Sequence, residues 1–322
     1  MIYKCCDRLL HKLAIGHSEI TFCCEPYSPS LPYIKNYDGI PIDIDNYKKV
    51  REQYIDMFKK GNIPVSCQNC YQLQEKDWDE SFGLNFISIS SQTKCSCNCI
   101  YCTHTRGDIE LKRYMNTQKC YDVRPIINAL YNDNLILKNC IIVIAGGEPT
   151  EMPNDQLEYL LYFGLVTGVM IVILSNGLLY NENIAKTISV ACSELKVSVD
   201  AGTKETFEKI KGVRGFDKVW KNLKKYINVA KTNMKAKVQI KYIIIPGVND
   251  NMKEVTSFIN RCFDIGCMNI EISIENSWYA DNKDKPISEE LRNILEYFDS
   301  LKDKGVAWGD AKNWFIQKLN EK

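Results

Sequence analysis

This chain contains little histidine, no long apolar run and no large excess of either charge. Only three of the 322 residues are histidine, which argues against a metal site built mainly from imidazole ligands. No apolar run reaches the about 18 residues that a membrane span needs, so we expect no membrane partner and a cytoplasmic location. The 41 basic and 40 acidic residues leave a net charge of +1, without the basic excess typical of nucleic-acid binding.

Cysteine, by contrast, is abundant, with 15 residues. Structural disulfides are disfavoured in a reducing compartment, so metal or cluster ligation is the better account of cysteines that lie close together. The densest group is the segment CSCNCIYC, which contains Cys95, Cys97, Cys99 and Cys102.

The outer spacing of this segment is C-x3-C-x2-C, formed by Cys95, Cys99 and Cys102. Three thiolates suit a [4Fe-4S] cluster and leave one iron open to bind a small molecule. Cys97 lies between the first two, so a four-cysteine zinc site is an alternative. Ordinary packing of buried thiols is a third interpretation.

The remaining chain predicts an α/β protein. Apolar alternation and short apolar runs predict strands at Phe86–Ser90, Cys140–Ala145, Val169–Ser175, Leu195–Asp200, Lys237–Ile245 and Met268–Glu275. Helical periodicity places Val123, Ile126, Ile127 and Leu130 on one face, then Leu157, Leu160 and Leu161, then Val219, Leu223 and Ile227. A further helix is predicted to begin at Asn249 or Asp250 and to run to about Ile265.

Six such units predict a partial (β/α)6 barrel of the TIM-like type. We expect three parts: a small, loop-rich, cysteine-rich module at residues 1–84, the barrel at 85–280 and a helical cap at 281–322. Five strand ends in a row carry cysteine, glycine or small polar residues. Because the carboxyl ends of parallel strands form one edge where ligands bind, these residues predict a ligand site.

The ordered motifs resemble the radical S-adenosylmethionine (radical SAM) superfamily over about residues 85–275. Cys95, Cys99 and Cys102, with the aromatic Tyr101, match its cluster loop, and Gly146-Gly147-Glu148-Pro149 matches the motif that contacts the methionine amino group. Ser175-Asn176-Gly177, and Ser198 with Asp200, match the ribose-side contacts. The segment around Val248 matches the adenine side. Under this resemblance zinc at the loop becomes a minor alternative and Cys97 has no ligand role.

A second, narrower resemblance concerns an auxiliary cluster. Residues 210–217, IKGVRGFD, look like the segment in members that carry a SPASM or twitch domain. Such domains usually follow the barrel, but residues 276–322 contain no cysteine. The first 84 residues instead resemble a SPASM-type ligand set moved to the front, for which we favour Cys6, Cys24, Cys67 and Cys70. A zinc knuckle is the competing interpretation.

The resemblance implies reductive cleavage of S-adenosylmethionine to methionine and a 5′-deoxyadenosyl radical, which removes a hydrogen atom from a substrate carbon. We expect a carbohydrate-type substrate that is epimerised or oxidised, and an electron donor such as flavodoxin or ferredoxin. A peptide maturase and a non-catalytic zinc-stabilised scaffold are the alternatives.

The sequence assigns no catalytic hydrogen donor. A core role is the favoured interpretation of Tyr242, Cys262 and Cys267. Glu271, Ser273 and Glu275 alternate on the last predicted strand and suit either contacts to a polar substrate or salt bridges at the rim.

Overall fold

A computed structural model describes residues 3–17, 19–22, 33–35, 41–68, 70, 73–76 and 83–321. The chain folds as two compact units. The first comprises residues 1–94 and 118–173, and the second comprises residues 95–117 and 174–322. The domain boundaries predicted after residues 84 and 280 stay predictions.

Twelve strands are present in the described residues. They are β1 (Tyr3–Cys6), β2 (Lys12–Ile15), β3 (Glu19–Thr21), β4 (Tyr33–Lys35), β5 (Leu73–Lys76), β6 (Leu84–Ile89), β7 (Ile136–Ile144), β8 (Met170–Ser175), β9 (Ser193–Ser198), β10 (Lys237–Ile244), β11 (Ile270–Ile274) and β12 (Val306–Trp308).

Twelve α-helices accompany them in the same ranges. They are α1 (Asp7–His11), α2 (Ile44–Lys59), α3 (Ile109–Thr117), α4 (Arg124–Asn132), α5 (Asn154–Thr167), α6 (Glu182–Val190), α7 (Lys204–Lys211), α8 (Phe216–Ala230), α9 (Met252–Asp264), α10 (Asn276–Asn282), α11 (Glu289–Asp299) and α12 (Lys312–Asn320). Short 3-10 turns add Val65–Cys67, Pro149–Glu151 and Lys302–Lys304.

The strands of the first unit are ordered β4-β3-β2-β6-β7-β8. The pairs from β2 to β8 are parallel, whereas β3 and β4 add to the sheet in antiparallel fashion. A separate antiparallel pair joins β1 to β5. Helix α4 buries Ile126, Ile127 and Leu130, the face predicted from the spacing.

The second unit has four parallel strands in the order β9-β10-β11-β12. One face carries the buried side chains Val197, Ile240 and Ile272. Helix α8 buries Val219, Leu223 and Ile227, as its periodicity predicts. Parallel strands combined with amphipathic helices confirm the predicted α/β class and are consistent with the predicted partial barrel.

All six predicted strands are present as β6 to β11, with ends that differ by up to four residues. Several elements were not predicted, among them strands β1 to β5 and β12 and helices α1, α2, α3, α6, α7 and α10. The first 84 residues contain the 16-residue helix α2, where the sequence predicted a loop-rich module. Strand β12 lies in the predicted helical cap and has only three residues, too few for a periodic signal.

The predicted start of helix α9 was wrong. Its N-cap is Asn251, whose side chain accepts a hydrogen bond from the Glu254 amide, not Asn249 or Asp250. Asn249 is fully buried, and its side-chain amide donates to the carbonyl oxygens of Asp200 and Ile243, both at 2.8 Å. All of these residues suit an N-cap by type, and only the tertiary contacts separate them.

A search of the described helices finds none with both the length and the apolarity needed to cross a membrane.

Candidate functional site

The cysteine-rich loop joins β6 to α3 in the sequence, the strand-to-helix position that was predicted. Its backbone is held by helix α7 of the same unit. The amide of Asn98 donates to the Lys211 carbonyl at 2.8 Å, and the amide of Ile100 donates to the Ile210 carbonyl at 3.0 Å. The last carbonyls of a helix have no partner within the helix, so the loop satisfies groups that α7 leaves open.

Close packing at Gly212 tightens this contact. Gly212 ends α7 with a φ of +67°, and a Cβ atom there would lie 2.9 Å from the Asn98 carbonyl oxygen. The Asn98 side chain donates to the Gly107 carbonyl at 2.8 Å and so ties the loop to the turn that follows it. The loop is therefore anchored at several points by backbone and side chain.

The thiol groups of the loop lie close to one another. The Cys97 amide donates to Cys95 Sγ at 3.4 Å, and Asn176 Nδ2 donates to the same sulfur at 3.6 Å. A hydrogen bond from the buried Cys97 thiol lowers the pKa of Cys99, and the Lys211 ammonium lowers it further. Thiolates are the form that binds metal, so this environment suits ligation.

Within the described ranges, no group of three or more histidine, cysteine, aspartate or glutamate side chains is arranged to hold a metal ion. The assignment of Cys95, Cys99 and Cys102 as cluster ligands therefore stays a prediction. The chemistry of the donor set fits it, because the three side chains are all half-buried sulfur donors on one anchored loop.

Tyr101 lies in a buried network that the sequence did not predict. Its hydroxyl donates to Asp200 Oδ2 at 2.6 Å, and Lys211 Nζ donates to the Tyr101 hydroxyl oxygen at 2.7 Å. Lys211 Nζ also pairs with Asp200 Oδ2 at 2.5 Å. The Asp200 side chain is fully buried and that of Lys211 is 1% exposed.

Charge and burial set the proton states in this network. Burial alone would lower the pKa of Lys211, but the Asp200 carboxylate offsets this and raises it. Burial and the Asp200 charge raise the pKa of Tyr101 well above its usual value. Lys211 is therefore a cation and Tyr101 a neutral donor at neutral pH.

The predicted strand Leu195–Asp200 ends two residues earlier in the structure. Strand β9 ends at Ser198, and Asp200 has a φ of +63°, so it lies outside the extended backbone on which alternation depends. Asp200 Oδ1 accepts from the Ile243 amide at 2.8 Å. Both carboxylate oxygens thus already have protein donors, and contact with ribose stays a prediction.

Ser175 ends strand β8, and Asn176 follows it directly. Ser175 Oγ accepts from the Gly177 amide at 3.0 Å, and Asn176 Oδ1 accepts from the Leu178 amide at 2.9 Å. These bonds shape a tight turn in which Gly177 has a φ of +73°. The turn leaves the Asn176 side-chain amide directed to Cys95.

Val248 lies in the turn after β10, where its amide donates to the Ile245 carbonyl at 2.9 Å. The neighbouring Asn249 was missed as a site residue. Its Oδ1 accepts from the Ile245 amide at 2.7 Å, while its side-chain amide bonds to the Asp200 carbonyl. It joins the end of β10 to the residue that anchors Tyr101, and no sequence pattern distinguished it from a helix cap.

The Gly146-Gly147-Glu148 segment belongs to the first unit. Gly146 and Gly147 have φ values of +71° and +50°, and a Cβ atom on Gly147 would lie 2.9 Å from the Thr93 carbonyl carbon. The Glu148 amide donates to the Lys94 carbonyl at 2.8 Å. The glycine pair is therefore packed against Thr93 and Lys94 of the same unit.

The Glu148 carboxylate is almost fully buried, at 1% exposure. Its Oε1 atom accepts from the Thr150 amide at 3.1 Å and from the Thr150 hydroxyl at 2.8 Å. Gln92 Nε2 donates to the Glu148 carbonyl at 2.5 Å. The carboxylate therefore caps the 3-10 turn Pro149–Glu151.

Residues 89–259 match the sequence model of a protein family that is described as "Radical SAM superfamily". The chain belongs to the radical SAM superfamily. This membership makes it an enzyme.

Curated relatives of this radical SAM enzyme differ in activity. A "UPF0026 protein" of Helicobacter pylori is 25% identical over 66% of this chain and 68% of its own length. The Fe-coproporphyrin III synthase of Methanosarcina barkeri is 32% identical, over 40% of this chain and 31% of its own length. A GTP 3′,8-cyclase of Clostridium botulinum is 22% identical over 55% and 52%, respectively.

Solved structures show the same fold. Streptococcus suis SuiB, bound to S-adenosylmethionine, superposes with a TM-score of 0.54 and 17% identity, over 88% of this chain and 59% of SuiB. The protein anSMEcpe, also with bound AdoMet, superposes with a TM-score of 0.51 and 16% identity, over 70% of this chain and 61% of anSMEcpe. This radical SAM enzyme thus spans less than two thirds of either structure.

The N-terminal cysteines are only partly described. Cys6 ends β1, burial raises the pKa of its thiol, and the Cys70 charge adds to this rise. Cys67 and Cys70 lie on one turn, in which the Cys70 amide donates to the Cys67 carbonyl at 3.1 Å. Cys24 lies outside the described residues. The auxiliary cluster of this radical SAM enzyme therefore stays a prediction.

The remaining candidates have structural contacts. Glu271 forms salt bridges with Lys196 at 2.5 Å and with Lys241 at 3.2 Å. These contacts agree with the rim salt bridge, one of the two roles predicted for this residue. Glu275 caps α10. The side chains of Tyr242, Cys262 and Cys267 are buried in the core.

Proposed function

We propose that this chain reductively cleaves S-adenosylmethionine at a [4Fe-4S] cluster and uses the 5′-deoxyadenosyl radical to remove a hydrogen atom from its substrate. The observation that carries the proposal is the C-x3-C-x2-C loop, anchored by its own backbone within a matched family domain. Three thiolates leave one iron open, as chelation of a small molecule requires.

Cys95, Cys99 and Cys102 are proposed as the ligands, and Cys97 as a buried neighbour that donates a hydrogen bond. Hydrogen bonds with Cys95 and Cys99 raise the pKa of the Cys97 thiol, which favours a neutral thiol over a thiolate ligand at this position. Asn176 would hold the Cys95 sulfur in orientation through its side-chain amide. Hydrogen bonds to ligand sulfur tune a cluster as well as position it.

Gly146, Gly147 and Glu148 are proposed to contact the methionine end of the cofactor. Support comes from the two left-handed glycines, whose lack of a side chain lets the segment lie close to the backbone of Ser90 and Thr93 and so fixes its position. The Glu148 carboxylate caps its own turn. We therefore assign the contact with methionine to backbone atoms of the segment, and we propose that the carboxylate maintains the conformation of the turn.

We propose that four residues contact the ribose of the cofactor: Ser175, Asn176, Ser198 and Asp200. We propose that Val248 contacts the adenine and that Tyr101 lies beside the cluster. Ser198 is half-buried at the end of β9 and keeps a hydroxyl for a ligand. Asp200 retains lone-pair capacity beyond its protein hydrogen bonds, since a carboxylate has about four acceptor sites.

The decisive test compares two cysteines of one loop. Cys99→Ala should abolish both cluster assembly and release of 5′-deoxyadenosine from reduced protein, whereas Cys97→Ala should keep both. Iron and sulfide are counted after anaerobic reconstitution, and nucleoside release is followed by chromatography. Equal loss of iron in the two variants, or zinc in place of iron, would overturn the proposal.

For the substrate, a carbohydrate that is epimerised or oxidised is our proposal from the sequence. A peptide is the second candidate, and the fold similarity to SuiB, which was also solved with the precursor peptide SuiA, favours it. A panel of nucleotide sugars, glycans and peptides is incubated with reduced enzyme. The class that raises 5′-deoxyadenosine formation above the basal level decides between them.

We also propose a second [4Fe-4S] cluster held by Cys6, Cys24, Cys67 and Cys70, and flavodoxin or ferredoxin as the reductant. The charge interaction between Cys6 and Cys70 supports part of this set. Replacing Cys67 and Cys70 with alanine should lower the iron content from about eight to about four per chain. An unchanged iron content would refute the second cluster.

A further inference from the structure

The buried Lys211–Asp200 ion pair has a place in the cluster site that the family match does not assign. We infer that Lys211 is a positioning residue for the cysteine-rich loop, and that the balance of its charge with Asp200 sets the reduction potential of the cluster. The inference rests on the proposed cluster at Cys95, Cys99 and Cys102.

Lys211 contacts the loop in two independent ways. Its backbone carbonyl accepts from the Asn98 amide at 2.8 Å, and its ammonium donates to the Tyr101 hydroxyl at 2.7 Å. The same ammonium lies 5.2 Å from the centre of the Tyr101 ring. Tyr101 stands between Cys99 and Cys102, so this one residue fixes the stretch that separates two ligands.

Asp200 links the pair to the strand ends. Its Oδ1 atom accepts from the Ile243 amide and its carbonyl accepts from Asn249. Tyr101 is thus held through Asp200 to the ends of β9 and β10, the region proposed for ribose and adenine. A shift of the loop relative to these strand ends would have to break buried hydrogen bonds.

The pair also has an electrostatic consequence. Both charges are buried, so solvent screens them far less than it screens surface charges, and the Lys211 ammonium bonds to Tyr101, which lies between the proposed ligands Cys99 and Cys102. With both residues present the net charge is zero. Removing the cation alone leaves a negative charge beside the cluster, which disfavours the added electron, and removing the anion alone does the opposite.

The experiment measures the midpoint potential of the reconstituted protein with Lys211→Met, Asp200→Asn and both changes together. We expect a more negative potential for Lys211→Met, a more positive one for Asp200→Asn and a value near wild type for the pair. We expect each single variant to change the ratio of reduced to oxidised cluster at a fixed potential by at least threefold. For a one-electron couple this corresponds to a shift of about 28 mV in the midpoint potential. A merely structural role would not reverse the sign.

Tyr101→Phe is the charge-neutral control. It removes the hydroxyl but keeps the ring, so iron loss to a chelator should become several-fold faster while the potential stays near wild type. If Lys211→Met alone does not fold, Asp200→Asn and the double variant still test the sign.

The outcomes separate the two proposals. The inference about Lys211 would be overturned, and the proposed function left standing, by either of two results. One is a shift of the midpoint potential with the same sign in both single variants, and the other is no shift in protein that carries the cluster. A wild-type protein that assembles no cluster would overturn the proposed function and this inference with it.

Discussion

Gly147→Ala should destabilise the protein far more than Gly168→Ala, although both glycines have left-handed backbones in the same unit. The φ values are +50° and +76°. A Cβ atom on Gly147 would lie 2.9 Å from the Thr93 carbonyl carbon and 3.0 Å from the Lys94 amide nitrogen, whereas nothing lies within 4 Å of one on Gly168. The two changes share the backbone strain and differ in the clash.

The magnitude follows from these two terms. An L-residue in the left-handed region costs about 1–2 kcal/mol, which both variants should show. Overpacking adds about 1–3 kcal/mol, and only at Gly147, where the obstructing atoms belong to the backbone and have no rotamer to adopt. We therefore expect a difference of about 2 kcal/mol in the free energy of unfolding.

Urea unfolding of the cluster-free chain measures this difference without any contribution from cofactor. Binding of S-adenosylmethionine to the reconstituted protein is then measured for both variants, and only Gly147→Ala should weaken it. Equal destabilisation of the two variants would refute the close approach at Gly147.

Two further predictions concern stability. Asn249→Ala should lower the free energy of unfolding in urea by about 3 kcal/mol, because three buried hydrogen bonds are lost. The control Asp250→Ala should lower it by about 1 kcal/mol. Equal losses in the two variants would contradict the bridging role of Asn249. The Lys241 ammonium lowers the pKa of Asp310, so their pair stabilises the folded chain above the usual aspartate pKa of about 3.9. This contribution is lost as the pH falls through the lowered pKa. In thermal unfolding, Asp310→Asn should therefore differ from wild type at pH 6 and converge with it in acid, and a constant difference would contradict the ion pair.

The position of the cysteine-rich loop directly after a strand was predicted from the sequence. Its cysteine spacing is local, and strand β6 before it follows from local alternation. The partners of the loop did not follow in this way. Lys211 is 110 positions from Tyr101, and a lysine at the end of an amphipathic helix is typical of a solvated residue.

Asn249 illustrates the same limit over a shorter distance. Asn249, Asp250 and Asn251 all follow β10 and precede α9, and each has the chemistry of an N-cap. Asn251 is the cap because the chain first turns at Asn249 to satisfy backbone groups at the ends of β9 and β10. The sequence predicted the helix, but the competition among its caps was decided by burial.

The amino-acid sequence alone determined the six parallel strands, the α/β class and the spacing of three thiols, because each depends on residues that are neighbours along the chain. The tertiary structure decided which charges are buried beside those thiols, which carboxylates already have donors and which glycines face backbone. These depend on pairs of segments brought together only by folding, where burial removes the water that would otherwise satisfy each group.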